Sequence, residues 1–128
     1  MSQRPKPRPD PRVVAWLRQT PEEATYLSVI TIQEIRFGLE DMDPGRKRDT
    51  VERWFEHHVL VSFRERILPV DVAIADECGR LMHRAKQQNH TGTLADSLIA
   101  ATAIVRGLSV VTLNIKHFKP LGVELVGL

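Results

Sequence analysis

Two short segments carry the same arrangement of a hydroxyl and an acid. In TYLSVITIQE, Thr31 is followed three residues later by Glu34, and in HTGTLADSL, Thr93 is followed three residues later by Asp96. The pattern Thr-x-x-acid has an architectural use, the capping box. There the hydroxyl accepts from an amide of the new helix, and the acid reaches back to the cap's own amide. This use explains Glu34 well and Asp96 less well, because Glu or Gln is the favoured third residue. The pattern also has a chemical use. A helix that follows a strand of a parallel sheet starts near the carboxyl edge, where ligands bind. Glu34 follows a strand directly, whereas Asp96 follows a loop. If both acids face one crevice, two carboxylates about 4 Å apart repel by about 4 kcal/mol at an effective dielectric of about 20. Such a pair persists by sharing a proton or by holding a cation. Oxygen donors without a neighbouring histidine or cysteine favour Mg²⁺ or Mn²⁺ over Zn²⁺. Carboxylate-held Mg²⁺ suits phosphodiester hydrolysis, because it activates water and neutralises developing charge.

The elements that must position these acids alternate in type. TYLSVI, short and rich in β-branched and aromatic residues, predicts a strand. TIQEIRFGLEDM predicts a helix capped by Thr31, with Ile32, Ile35 and Leu39 inward. Pro44 and Gly45 break the chain. From Arg46 to Val59 an amphipathic helix places Val51, Trp54, Phe55, His58 and Val59 on one face. RILPV is a second strand. Asp71 then caps a helix to about Gln88, with Ala75, Cys78, Met82 and Ala85 inward. The turn-rich QNHTGT leads into the apolar helix LADSLIAATAIVR, which Gly107 ends as a helix-terminating glycine should. LSVVTL and VELV are the third and fourth strands, joined through a turn at Lys119 to Gly122. Strands alternating with helices indicate an α/β fold with a mainly parallel sheet, and strands apolar on both faces require cover on both sides.

Composition narrows the class. The chain has 128 residues, 42% hydrophobic and 27% charged, which fits one folded domain and not a disordered segment. A chain of this length buries about two thirds of its unfolded surface. No apolar run is long enough to predict a membrane span, and no apolar leader predicts secretion. A lone cysteine, Cys78, cannot form an intrachain disulfide, so a reducing cytoplasmic setting is expected. The formal charge is +2, but Arg4, Lys6, Arg8 and Arg12 against Asp10 give the first twelve residues +3, leaving −1 for the rest. The basic character belongs to the tail and is no evidence of nucleic-acid binding by itself. Residues 1–11, with Pro5, Pro7, Pro9 and Pro11, read as an extended arm, followed by a short helix from Arg12 to Gln19, a break from Pro21 to Ala24, and a domain over residues 12–128.

The segments YLSVITIQEIRFGLE, RILPVD, LADSLIAATA, GLSVVTLNIKHF and RPDPRVVAWL stand in an order that resembles the PIN-domain ribonucleases, specifically the VapC toxins of type II toxin–antitoxin systems. The resemblance spans most of the chain, from about Pro5 to Leu125. It implies a three-layer α/β/α domain and Mg²⁺- or Mn²⁺-dependent endonucleolytic cleavage of RNA. It also implies a homodimer and neutralisation by a VapB-type antitoxin. On this resemblance Glu34 matches the family's second acid and Asp96 its third. Asn114 stands where some members carry a fourth acid, and offers a carbonyl oxygen without charge. His117 stands where others carry an Asp. The family's first, central strand ending in Leu-Asp-Thr-Asn has no counterpart in MSQRPKPRPDP, so two of four expected carboxylates are absent. The expectation is a ribonuclease of weak or absent activity. The alternatives are a catalytically inactive module that binds an antitoxin, or an unrelated α/β domain whose two acids only cap helices.

Other residues are weighed against plainer readings. Arg36, on the helix of Glu34, and Thr93 are candidate substrate contacts, although Arg36 suits a surface ion pair equally. His57 and His58 point about 100° apart on a helix and cannot ligate one metal from one face; His58 is expected to be a partly buried helix residue. GRKR (Gly45 to Arg48) suits a solvated helix start better than an RNA contact. Trp16, Trp54 and Phe55 fit core or dimer contacts. His117 reads as a solvated loop histidine, and Cys78 as an inert core thiol.

Overall fold

In a computed structural model of the chain, residues 15–16 and 19–127 are described. The proline-rich arm lies outside them, as does most of the expected helix from Arg12 to Gln19, of which Ala15, Trp16 and Gln19 are helical. Contacts gather the chain into two compact units, one ending at Leu68 and the other starting at Pro69.

In the first unit, a 3₁₀ turn at Glu22–Ala24 leads to strand β1 (Leu27–Ser28) and helix α1 (Val29–Glu40). β1 runs parallel to β2 (Ile67–Leu68), with Leu27 opposite Ile67 and Ser28 opposite Leu68. The strand is shorter than the six residues of TYLSVI, and the helix begins earlier than expected. Ser28, extended at φ −81 and ψ 147, accepts from the Ile30 amide at 3.0 Å and is the N-cap. A satisfied Ser cap overrides the strand preference of Val29 and Ile30. Thr31 is therefore not the cap but a residue of the first turn, and Glu34 lies in the second turn, beyond the reach of a capping box. Ser28→Ala is expected to cost about 1 kcal/mol of stability in urea unfolding, and Thr31→Ala less than about 0.5 kcal/mol; the reverse order would restore the Thr31 cap.

Helix α2 (Arg46–Trp54) passes through a π turn (Phe55–Val59) before ending at Leu60–Ser62. The Leu60 amide donates to the Phe55 carbonyl, five residues back. Phe55, Val59 and Leu39 form the core of this unit, packed by Leu27, Ile32, Ile35, Val51, Leu60 and Phe63. Trp54 and His58, expected on the same face, are exposed instead. They lie one row around the helix from Phe55 and Val59, and the wider turn leaves that row in solvent. Arg66 ties the entrance of β2 to the start of the unit. It donates to the carbonyls of Glu22, Thr25 and Ser62, pairs with the Glu22 carboxylate at 3.1 Å, and sits over the Phe63 ring.

In the second unit, Asp71 caps helix α3 (Val72–Gln87) by accepting from the Ile74 amide at 2.9 Å. The buried row is Ile74, Cys78, Leu81 and Ala85. Ala75, expected inward, is exposed, because the inward row begins at Ile74, one residue nearer the cap. Helix α4 (Leu94–Arg106) packs on α3 through Ala100, Ala101 and Ala103, whose small side chains permit close approach. It ends at Gly107, whose φ of 68 suits glycine. Strands β3 (Val110–Thr112) and β4 (Leu125–Gly127) pair in parallel, Val110 with Leu125 and Thr112 with Gly127. Between them lie the short helix α5 (Ile115–Phe118) and a 3₁₀ turn at Lys119–Leu121. Cys78 is buried, and desolvation raises its thiol pKa, so it stays protonated and unreactive. Among the described residues, no helix is long and apolar enough to cross a membrane.

Candidate active site

Helix α4 presents Asp96 from its first turn. Thr93 is the N-cap, and its Oγ1 accepts from the Asp96 amide at 3.0 Å. The carboxylate of Asp96 is not returned to the cap. It lies 3.8 Å from Nδ1 of His117, with its side chain 21% exposed. His117, expected to be a solvated loop residue, is exposed but has this acid beside it.

Asn114 follows β3 directly, at the carboxyl end of that strand. Its amide donates to Thr112 Oγ1 at 2.8 Å, and its carbonyl accepts from the His117 amide at 3.0 Å, which closes α5. The Asn114 side chain carries no hydrogen bond among the described residues and is exposed at the start of α5. α5 packs against α4. The second unit thus brings together Asp96 and His117 through a direct contact, with Asn114 one turn away on α5. One carboxylate and one amide oxygen are hard donors of the kind that hold Mg²⁺ or Mn²⁺, and the imidazole is a hydrogen-bonding group beside them.

In the first unit, Glu34 is exposed on α1, in the helix that follows β1. Arg36 is committed to a carboxylate cluster. It pairs with Glu56 at 2.9 Å, Glu52 at 3.3 Å and Glu40 at 3.8 Å, and its guanidinium lies 5.1 Å from the Phe55 ring centroid. The Glu56 hydrogen bond, above all, holds its pKa above the ordinary arginine value. Arg48, from GRKR, pairs with Glu40 and donates to the Met42 carbonyl. Among the described residues, no group of three or more His, Cys, Asp or Glu side chains is gathered as a metal centre.

Sequence reasoning misses one feature, a cavity in the second unit lined by His83, Lys86, His90 and Ser97 among others. The only signal is the histidine inside QNHTGT, whose neighbours make the segment read as a turn.

Comparison with known proteins sets the class first: residues 5–121 match the PIN domain. Two curated relatives narrow it. The VapC ribonuclease Y4jK of Sinorhizobium fredii is 36% identical over 121 residues, covering 94% of this chain and 86% of the relative. The toxin FitB of Neisseria gonorrhoeae is 36% identical over 113 residues, covering 88% and 81%. The crystal structure of FitAcB from Neisseria gonorrhoeae superimposes with a TM-score of 0.86 at 34% identity, covering 95% of this chain and 88% of that one. The chain belongs to the PIN-domain family and stands with its VapC ribonucleases. The α/β class expected from the sequence is that of the solved relative, and both strand pairs are parallel as expected.

Proposed function

We propose that the protein is a metal-dependent endoribonuclease, the toxin of a type II toxin–antitoxin system that acts in the cytoplasm. Its substrate is RNA, its neutralising partner a VapB-type antitoxin, and its assembly a homodimer. The observation that carries the reading is Asp96. In a chain of this family, it is a half-buried acid at a helix start whose capping duty Thr93 already performs. In the second unit Asp96 is the carboxylate donor and Asn114 contributes a neutral oxygen; Glu34 is the proposed catalytic acid of the first unit. A divalent cation, Mg²⁺ or Mn²⁺, supplies Lewis acidity toward water and phosphate when bound. Thr93 keeps the first turn of α4 in place, so that the Asp96 carboxylate meets the cation with its backbone already fixed. His117 stands beside that carboxylate, its Nδ1 3.8 Å away. Arg36, surrounded by three acids, organises α1 against α2 and is not the phosphate contact.

The test is cleavage of an RNA pool with Mg²⁺ present, after chelation, and after Mg²⁺ or Mn²⁺ is restored. Cleavage is expected to vanish on chelation and return with either ion; cleavage that persists in chelator overturns the metal requirement. A second reading is favoured by the few acids gathered among the described residues. There the chain is an inactive module that binds an antitoxin. Stable binding of a VapB-type antitoxin encoded beside it, with no cleavage under any ion, would select this reading.

A further inference from the structure

The second unit contains a cavity of about 330 Å³ between the end of α3, the loop 88–93 and the start of α4. Its volume is far above the share of a single water, about 30 Å³, and lies at the lower end for small-molecule pockets, roughly 300–1,000 Å³. The end of α3 shapes it. Asn89 takes a left-handed conformation at φ 61, the Asn89 amide donates to the Lys86 carbonyl, and the His90 amide donates to the Ala85 carbonyl. This Schellman closure turns the chain so that the His90 ring lines the cavity. His90 Nε2 is buried and has no hydrogen-bond partner among the described residues. A buried polar atom without a partner is destabilising, and the residue that carries this one lines the cavity.

We infer that this cavity receives one unstacked nucleobase of the RNA, whose edge takes a hydrogen bond with His90 Nε2. Three observations favour a base over a bare phosphate. Met82, Ala85 and Leu121 give the cavity apolar walls, which suit a flat ring. The Ser97 hydroxyl already donates to the Thr93 carbonyl at 2.9 Å, so the interior offers few free donors of the number a phosphate demands. The lining includes Lys86 and His83 and no carboxylate, which suits a base attached to an anionic backbone. Single-stranded RNA is commonly read through such splayed bases. The position also fits, because Ser97 lines the cavity and is the neighbour of Asp96 on α4. Gly92 lies against the His90 ring: a Cβ there would stand 3.1 Å from His90 Nε2. Its backbone is outside the left-handed region, so Gly92→Ala meets the imidazole without meeting backbone strain.

The inference rests on the ribonuclease reading for the source of the base, but its test does not require cleavage. The full chain, ¹⁵N-labelled, is titrated separately with the four nucleoside 5′-monophosphates and with inorganic phosphate. At least one nucleotide is expected to shift the Thr91 and Gly92 amides saturably, while phosphate alone does not. His90→Ala and Gly92→Ala are each expected to weaken that binding about tenfold, the loss of one good hydrogen bond, with the remaining amide spectrum unchanged. Equal shifts from inorganic phosphate would make this an anion site and overturn the inference, as would the absence of shifts or unchanged affinity in both variants. Binding without RNA cleavage would overturn the ribonuclease reading and leave the base pocket standing; cleavage without nucleotide binding would do the opposite.

Discussion

Asp96→Ala is expected to lower Mg²⁺-dependent RNA cleavage by more than about a hundredfold while leaving the protein folded. Loss of a residue that merely supports a metal ligand costs about 10–100-fold, so loss of a direct carboxylate should exceed that range. The fold should survive because Thr93 caps the Asp96 amide, which alanine retains. The side chain gives up its interaction with the helix dipole, about 0.3–1 kcal/mol, and its exposed contact with His117. Single-turnover cleavage and a thermal melt separate the two effects. Glu34→Ala is expected to lower cleavage as well. Undiminished cleavage by Asp96→Ala would move the reaction to a different centre.

Phe55→Ala is expected to destabilise the first unit by about 3–5 kcal/mol, the usual cost of removing a buried phenyl ring. That is a large part of the roughly 5–15 kcal/mol that holds a domain of this size. Phe55 is 1% exposed and anchors the cluster with Leu39 and Val59. Its ring also supports the Arg36 guanidinium, around which Glu40, Glu52 and Glu56 collect. The neighbouring Trp54 is 38% exposed, and Trp54→Ala should cost less than about 1 kcal/mol. Urea unfolding of the two variants measures both. A larger loss at Trp54 than at Phe55 would contradict the inward direction of the π turn.

Features of the fold are legible in the sequence where their cause is local. The caps at Asp71 and Thr93 and the stop at Gly107 are readable, because each depends on a side chain or φ value within a few residues. Thr31 misleads because Ser28, three residues earlier, offers an equally good cap, and the sequence does not say which hydroxyl the amides choose. Trp54 and His58 mislead because the expected face assumes uniform winding, and nothing in RKRDTVERWFEHHV announces a π turn. Ala75 misses by one residue for a related reason: the phase of α3 is set by the residues packed on it. At the site, Asp96 is legible from its spacing to Thr93, whereas its contact with His117, twenty-one residues away, needs the fold. His90 is hidden by its turn-like neighbours, since an unpaired nitrogen has no sequence signature.

The π turn in α2 also governs which surface spacings along that helix can be trusted. Trp54 and Val61 are exposed and stand seven residues apart, a spacing that in a uniform helix aligns them into a heptad seam. The turn between them contains one extra residue and rotates the downstream residues by about 100°. The two side chains therefore point along different bearings, and a zipper drawn from their spacing would pair a tryptophan with empty solvent.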